Sequence, residues 1–375
     1  MERSISPFVL KDLHKKIVLI SGPRQVGKTT LAKGLMKEYD YLNFDNSEHR
    51  LALSEKSWDR KKPLVIFDEL HKMPDWKTFL KGIFDVEGLP PALLVTGSAK
   101  LEAFKKLGDS LAGRFFSYRL HPIDVKEASV HMEPRDALSR LLAVGGFPEP
   151  FLENEPDFHA RWKKTHIDVI LRQDLLDLSA IQDILSVETL IEMLRGRVGS
   201  PISYANLAQD LKKDPKTVKS YLDLLESLYV IFPVRPWHSN VARSILKEPK
   251  YYFFDTGIVR GDEGKKLENA VACSLKKQLH FLEDTRGAST ELCYLRTKTG
   301  KELDFAVSQD GELTHAFEVK LSDSSRSPSF SSFEMALSKA RKIQLVMQCD
   351  REKTYPDGLE IRAAADYLAN IDLGI

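Results

Sequence analysis

The sequence has few cysteines, no long apolar run and no excess of charge of either sign. Its three cysteines, Cys273, Cys293 and Cys349, are widely separated, which excludes the paired spacings of zinc sites and a disulfide framework. No apolar stretch approaches the ~20 residues that a membrane-spanning helix needs. The N-terminus also lacks the charged and then apolar segments of a signal peptide. We therefore expect a cytoplasmic protein without a membrane partner.

The charges balance almost completely. Lysine and arginine total 55 and aspartate and glutamate 54, so the formal net charge is +1 in 375 residues. This balance excludes a uniformly basic surface for nucleic acid but leaves room for a local basic face. The length exceeds what one ordinary hydrophobic core covers and predicts two or three domains.

The segment Gly22–Thr30 is the most informative part of the chain. It fits the pattern G-x-x-x-x-G-K-S/T at every fixed position, between an apolar run, Ile17–Ile20, and a predicted helix. In such a loop the backbone N–H groups point at phosphate oxygens, and the helix N-terminus adds partial positive charge. Lys28 would reach the terminal phosphates and the Thr29 hydroxyl would hold Mg²⁺. The predicted phosphate-binding residues are Gly22, Pro23, Arg24, Gln25, Val26, Gly27, Lys28, Thr29 and Thr30.

A second apolar run ends in two carboxylates, Asp68 and Glu69. Downstream of a phosphate loop, Asp68 would bind the magnesium ion and Glu69 would polarise the water that attacks the γ-phosphate. Phosphoryl transfer depends mostly on positioning and on neutralising charge, so these few groups suffice. The alternative is an acidic pair that merely ends a buried strand.

Alternating short apolar runs and helical patterns predict a parallel α/β sheet over residues 1–150, with a helical lid or linker over 151–185. Residues 186–240 resemble a winged helix-turn-helix, three helices followed by a strand pair. Residues 241–375 mix strands and helices. Basic and polar residues near the start of the third helix, where recognition helices read DNA, are Lys212, Lys213, Lys216, Thr217 and Lys219. A module used for protein packing is the alternative.

Several further segments resemble an AAA-type ATPase of the subgroup found in uncharacterised bacterial and archaeal ATP-binding proteins. They are Phe67–Trp76, Val95–Ser98, Leu111–Arg114, Gly145–Pro148 and Phe253–Gly257. The resemblance covers nearly the whole chain and implies ATP and Mg²⁺ as cofactors. Many AAA-type proteins form rings, so a homo-oligomer is one assembly that it implies.

The resemblance also implies roles for residues near the nucleotide. Thr96 or Ser98 matches the polar sensor at a strand end, where a hydroxyl can hydrogen-bond the attacking water; both can equally cap backbone groups. Arg114 matches an arginine finger that stabilises transition-state charge. A structural salt bridge is the alternative for Arg114, and the sequence leaves open whether a finger would act in cis or in trans.

The last domain of that subgroup resembles a PD-(D/E)XK nuclease fold. Glu268, Asp304, Glu318 and Lys320 match its pattern. The strand period of two places Glu318 and Lys320 on one face, and carboxylates so placed hold Mg²⁺ or Mn²⁺ through hard oxygen ligands. An ion-paired cluster that keeps the fold without the activity is the alternative.

Two functional hypotheses follow. The first is an ATPase that couples its nucleotide state to DNA binding and to metal-dependent DNA cleavage. The second is an ATP-gated protein-binding, scaffold or regulatory protein with an inactive nuclease-like domain. DNA affinity that falls steeply with added salt would favour the first.

Overall fold

The computed structural model describes residues 1–97, 111–170, 183–238, 247–322 and 325–374. These residues form two compact units. The first consists of Met1–His121 with the short segments Ser227–Tyr229 and Asp284–Arg286. The second consists of Pro122–Glu226, Val230–Glu283 and Gly287–Ile375. The division into parts at residues 150, 185 and 240 stays a prediction.

The first unit is built on a parallel sheet of β1 to β5 in the order β2-β3-β4-β1-β5. The strands are β1 (Ile17–Ser21), β2 (Asp40–Asn43), β3 (Leu64–Asp68), β4 (Ala92–Thr96) and β5 (Phe115–Arg119). The helices are α1 (Ser6–Leu13), α2 (Lys28–Gly34), α3 (Ser47–Glu55) and α4 (Trp76–Val86), and Leu70–Lys72 forms a 3₁₀ turn.

Burial explains why the apolar runs become strands here. Every residue of β1, β3 and β4 is buried, as expected for inner parallel strands that are covered on both faces. The amphipathic α4 buries Trp76, Leu80 and Ile83 at helical spacing. These side chains join Val65 and Phe67 of β3 in one hydrophobic cluster.

The register of this sheet brings three strand ends together. Ile20 of β1 and Asp68 of β3 are both register partners of Thr96 at the end of β4. Because parallel strands end at the same edge, polar groups that follow them collect there. The predicted parallel α/β sheet is therefore present, with its carboxyl edge next to the Gly22–Thr30 loop.

The second unit contains helices before, between and after its strands. The helices after residue 122 are α5 (Val125–Ala128), α6 (Pro134–Val144), α7 (Pro148–Glu153), α8 (Pro156–Val169), α9 (Ile184–Arg195), α10 (Tyr204–Leu211), α11 (Pro215–Ser227), α12 (Glu263–Arg286) and α13 (Ala364–Ala369). Two 3₁₀ turns span Thr256–Ile258 and Pro328–Phe333. Within the described ranges, none of the helices is long and apolar enough to cross a bilayer.

A mixed sheet of β6 to β13, in the order β12-β13-β11-β10-β9-β8-β6-β7, supports this unit. Its strands are β6 (Ile231–Pro236), β7 (Lys250–Phe253), β8 (Thr290–Arg296), β9 (Glu302–Gln309), β10 (Glu312–Lys320), β11 (Arg341–Val346), β12 (Lys353–Thr354) and β13 (Leu359–Ala363). Neighbours β8, β9 and β10 are antiparallel, and β10, β11 and β13 are parallel.

The predicted winged module is only partly recovered. Its three helices are α9, α10 and α11, and its predicted strand is β6, which pairs with β7 beyond the predicted end of the module at residue 240. However, β6 also pairs in parallel with β8, Arg235 with Cys293 and Pro236 with Tyr294. The pair is therefore the edge of a larger sheet rather than a separate wing, and a winged helix is not confirmed.

Candidate functional site

The phosphate-binding loop is shaped by its neighbour at the edge of the sheet. The loop connects Ser21, the last residue of β1, to Lys28, the first residue of α2. Gly22 has a φ of 148°, and a Cβ at this position would overlap with the carbonyl oxygen of Leu120. Glycine is therefore required here both by backbone conformation and by space.

Lys28 lies inside the loop and is nearly fully buried. Its Nζ donates hydrogen bonds to the carbonyl oxygens of Gly22, at 3.0 Å, and Pro23, at 2.6 Å. Only 7% of the residue is exposed. A buried ammonium held by loop carbonyls is a strong donor for anionic oxygens, so the sequence-predicted role of Lys28 fits its position.

Asp68 is the centre of a hydrogen-bond network at the strand edge. Its Oδ2 accepts bonds from the Thr29 hydroxyl at 2.8 Å and from the Tyr41 hydroxyl at 2.7 Å. Its Oδ1 accepts from the Thr96 hydroxyl and from the Glu69 N–H. The structure thus brings together Thr29, Asp68 and Thr96, which the sequence placed in one site.

Tyr41 was not predicted from the sequence. Burial and the hydrogen bond to Asp68 raise the pKa of Tyr41 to about 12, so its hydroxyl stays protonated and donates to Asp68 at neutral pH. The sequence shows only that Tyr41 lies on a predicted strand. The pairing of β2 with β3 is what places its side chain beside Asp68.

Glu69 follows β3 with a backbone in the left-handed region, φ 54°. Its N–H donates to the Thr96 carbonyl at 2.9 Å, which fixes the turn. Its Oε2 is buried, accepts no hydrogen bond from the described residues, and lies 3.6 Å from the Lys72 Nζ. Burial raises the pKa of Glu69 above its usual value, although Lys72 and Lys28 oppose the shift. A buried acceptor without a donor at this edge suits a group that polarises water.

The two remaining predicted residues of this site give different results. Ser98 lies outside the described residues, whereas Thr96, the other candidate sensor, contacts Asp68. Arg114 makes a two-point ion pair with Asp85, from Nε to Oδ1 at 2.6 Å and from Nη2 to Oδ2 at 3.0 Å. The salt-bridge alternative therefore describes Arg114 in this structure, and its role as a finger stays a prediction.

The residues of the predicted nuclease site are only partly assembled. Asp304 accepts the Val319 N–H at 2.8 Å, and Glu268 accepts the Tyr252 hydroxyl at 2.6 Å. Glu318 instead pairs with Lys320, Oε1 to Nζ at 2.7 Å. Among the residues that the structure describes, no three His, Cys, Asp or Glu side chains form a group that could hold a metal ion.

The predicted DNA-reading residues lie on the second and third helices of the module. Lys212 and Lys213 follow α10, and Lys216, Thr217 and Lys219 lie in the first turns of α11. The lysines are exposed, but Lys213 pairs with Asp183 at 2.5 Å. The opposite face of α11 is buried by Val218, Tyr221, Leu222 and Leu225. The Asp214 side chain accepts the Lys216 N–H at 2.7 Å and caps the helix.

Comparison with known families agrees with the phosphate-loop geometry. Residues 14–129 match the model described as "AAA domain". This part of the chain is similar to AAA domains. Residues 135–263 and 263–365 match two models described as "Domain of unknown function", DUF8612 and DUF4143. The family models therefore describe a domain type only for residues 14–129 and leave residues 135–365 without an assigned activity.

Relatives extend over most of the chain and are uncharacterised. An uncharacterised protein of Mycobacterium tuberculosis is 29% identical, covering 85% of this chain and 73% of that protein. Another, from Methanocaldococcus jannaschii, is 23% identical over 88% and 80% of the two chains. A solved variant of Thermotoga maritima RuvB is 17% identical, covering 60% of this chain and 86% of that chain, with a TM-score of 0.30.

Proposed function

We propose that this protein is a magnesium-dependent ATP hydrolase whose nucleotide state controls DNA binding by its helical module. The observation that carries the proposal is the hydrogen bond from Thr29, at the start of α2, to Asp68, at the end of β3. It joins the phosphate loop to a carboxylate next to Glu69. This contact between strand, loop and acidic edge supports a single nucleotide site in the first unit.

The residues present suit a nucleotide with magnesium. The hydroxyl of Thr29 and the carboxylate of Asp68 are hard oxygen donors of the kind that magnesium prefers, and they would hold it. Magnesium would neutralise charge on the phosphate oxygens. Lys28 would exchange the carbonyl oxygens of Gly22 and Pro23 for phosphate oxygens, and Tyr41 would keep Asp68 oriented.

Glu69 would act on the attacking water. Water attacks the γ-phosphorus, the bond from that phosphorus to the bridging oxygen breaks, and ADP leaves with that oxygen. The buried Oε2 of Glu69 accepts a hydrogen bond from the water and takes up its proton. A carboxylate with a raised pKa is a stronger base than an exposed one, which favours this transfer.

Magnesium-dependent phosphate release tests the proposal directly. We expect the wild type to release phosphate from ATP with Mg²⁺ and to stop in excess chelator. Thr29→Val keeps the side-chain shape but removes the hydroxyl, so turnover should fall by on the order of 10–100-fold and need more magnesium. Thr165→Val, on the exposed part of α8, is the matched control. No phosphate release by folded wild type would contradict the proposal.

The DNA part of the proposal concerns the exposed lysines of α11. Removing two phosphate contacts with Lys216→Ala/Lys219→Ala should lower DNA affinity by about tenfold and reduce the salt slope by about two. The comparison is Lys298→Ala/Lys301→Ala, two exposed lysines in the turn between β8 and β9. Fluorescence anisotropy at several salt concentrations, with ATP analogue or ADP, would measure both effects.

A protein-binding scaffold is the second candidate function. It is favoured by the pairing of Lys213 with Asp183, which uses one of the predicted DNA contacts within the unit. It is also favoured by the lack of a metal-binding group among the described residues. DNA affinity that is negligible in both nucleotide states, together with intact ATP turnover, would decide for this candidate.

A further inference from the structure

A buried lysine lies among the acidic residues of the second unit. Lys250, the first residue of β7, is only 1% exposed. Its Nζ is 2.5 Å from Glu302 Oε1 and 3.7 Å from Glu268 Oε1. Burial lowers the pKa of Lys250, but the charges of Glu268, Asp304 and Glu302 outweigh it and raise this pKa overall. Lys250 is therefore a buried cation that is ion-paired with two carboxylates.

The surrounding carboxylates come from two separate elements. Glu268 lies on α12, and Glu302 and Asp304 lie on β9. Burial and the neighbouring Asp304 raise the pKa of Glu268 to about 7. Space for Glu268 depends on Gly199, where a Cβ would lie 2.5 Å from Glu268 Oε2. The fold therefore brings several acidic groups around one ammonium.

Glu318, another carboxylate of the predicted nuclease pattern, pairs with a different lysine. Glu318 Oε1 lies 2.7 Å from the Lys320 Nζ and also accepts the Ser327 hydroxyl at 3.2 Å. Burial and the nearby Asp304 raise the pKa of Glu318. Lys250 thus pairs with Glu302 and Glu268, Lys320 pairs with Glu318, and Asp304 lies close enough to both lysines to feel their charges.

We propose that the ammonium of Lys250 is the resident cation of this acidic group and takes the place of a divalent ion beside Glu302 and Glu268. A divalent ion has to lie about 2.0–2.6 Å from carboxylate oxygens. An ammonium at the same distance from Glu302 occupies that space and repels a second cation. The carboxylates of Glu302 and Glu268 therefore do not fit a metal, and we expect no metal-assisted DNA cleavage at this acidic group. The inference is independent of the proposed ATP hydrolysis.

Manganese binding to the full chain tests the proposal without any activity assay. Titration without nucleotide, followed by electron paramagnetic resonance of free Mn²⁺, compares wild type with Asp304→Asn. We expect the same isotherm for both, because no wild-type site uses Asp304. Lys250→Met keeps the linear buried stem but removes the charge. It should bind Mn²⁺ on the order of tenfold more tightly than wild type, and Lys250→Met/Asp304→Asn should lose that gain.

Lys250→Arg is the conservative control and should bind Mn²⁺ as wild type does, because it keeps the cation. Thermal unfolding adds a second readout: Lys250→Met should melt below wild type and recover in part with Mn²⁺. A folded Lys250→Met with unchanged Mn²⁺ affinity would overturn the proposal. A wild-type Mn²⁺ site that disappears in Asp304→Asn would also overturn the proposal. The comparison of wild type with Asp304→Asn does not depend on whether Lys250→Met folds.

Discussion

Lys28→Ala is expected to abolish measurable ATP binding. In the structure the Lys28 ammonium is almost fully buried and held only 2.6 Å from the Pro23 carbonyl oxygen, within the loop that would receive the phosphates. Truncating one partner of a buried, hydrogen-bonded charge pair costs about 2–5 kcal/mol. That corresponds to on the order of 30-fold to several thousandfold in Kd. Isothermal calorimetry with an ATP analogue and Mg²⁺ measures the change.

The control for this variant is Lys37→Ala, the same change at an exposed position just beyond α2. It should bind the analogue as wild type does. Lys28→Ala also removes the donor to two loop carbonyls, so circular dichroism and thermal unfolding must show that the sheet is intact. Unchanged analogue affinity in folded Lys28→Ala would contradict both the phosphate-loop interpretation and the proposed function.

The parallel sheet of the first unit and its polar edge were predictable from the sequence because their signals are local. The apolar runs Ile17–Ile20 and Leu64–Phe67 are completely buried strands, and the residues that follow them, Ser21 and Asp68, end at one edge. In a parallel sheet, the end of a strand fixes where the next residues lie, whatever the order of the strands. Reading motifs at strand ends was therefore enough to bring Thr29, Asp68 and Thr96 into one site.

Contacts that depend on the order of the strands could not be predicted from motifs at strand ends. Tyr41 reaches Asp68 only because β2 lies beside β3, and its sequence position gives no sign of this. The strand pair after α11 was predicted as a wing, but the register of Arg235 with Cys293 joins it to the large sheet. Lys250 belongs to the same class, since its carboxylate partners come from two other elements, α12 and β9.

Glu69→Gln is expected to keep ATP binding and lose turnover by on the order of 10²–10⁴-fold. The substitution keeps the size of the side chain and the backbone bond to Thr96, but an amide cannot take up the proton of the attacking water. The raised pKa of Glu69 also fixes the sign of the pH effect. Wild-type turnover should fall as pH decreases through that raised value, because the protonated carboxyl no longer polarises water.

Single-turnover phosphate release as a function of pH, with analogue affinity measured in parallel, separates this role from a structural one. Glu55→Gln, at the exposed end of α3 in the same unit, is the matched control and should leave both the rate and the pH limb unchanged. A purely structural Glu69 would change affinity and thermal stability together with the rate. If Glu69 accepts the proton, Glu69→Gln should lose both the rate and its decrease at acidic pH while the affinity for the analogue stays constant. Persistence of wild-type phosphate release in Glu69→Gln would remove Glu69 from the chemistry.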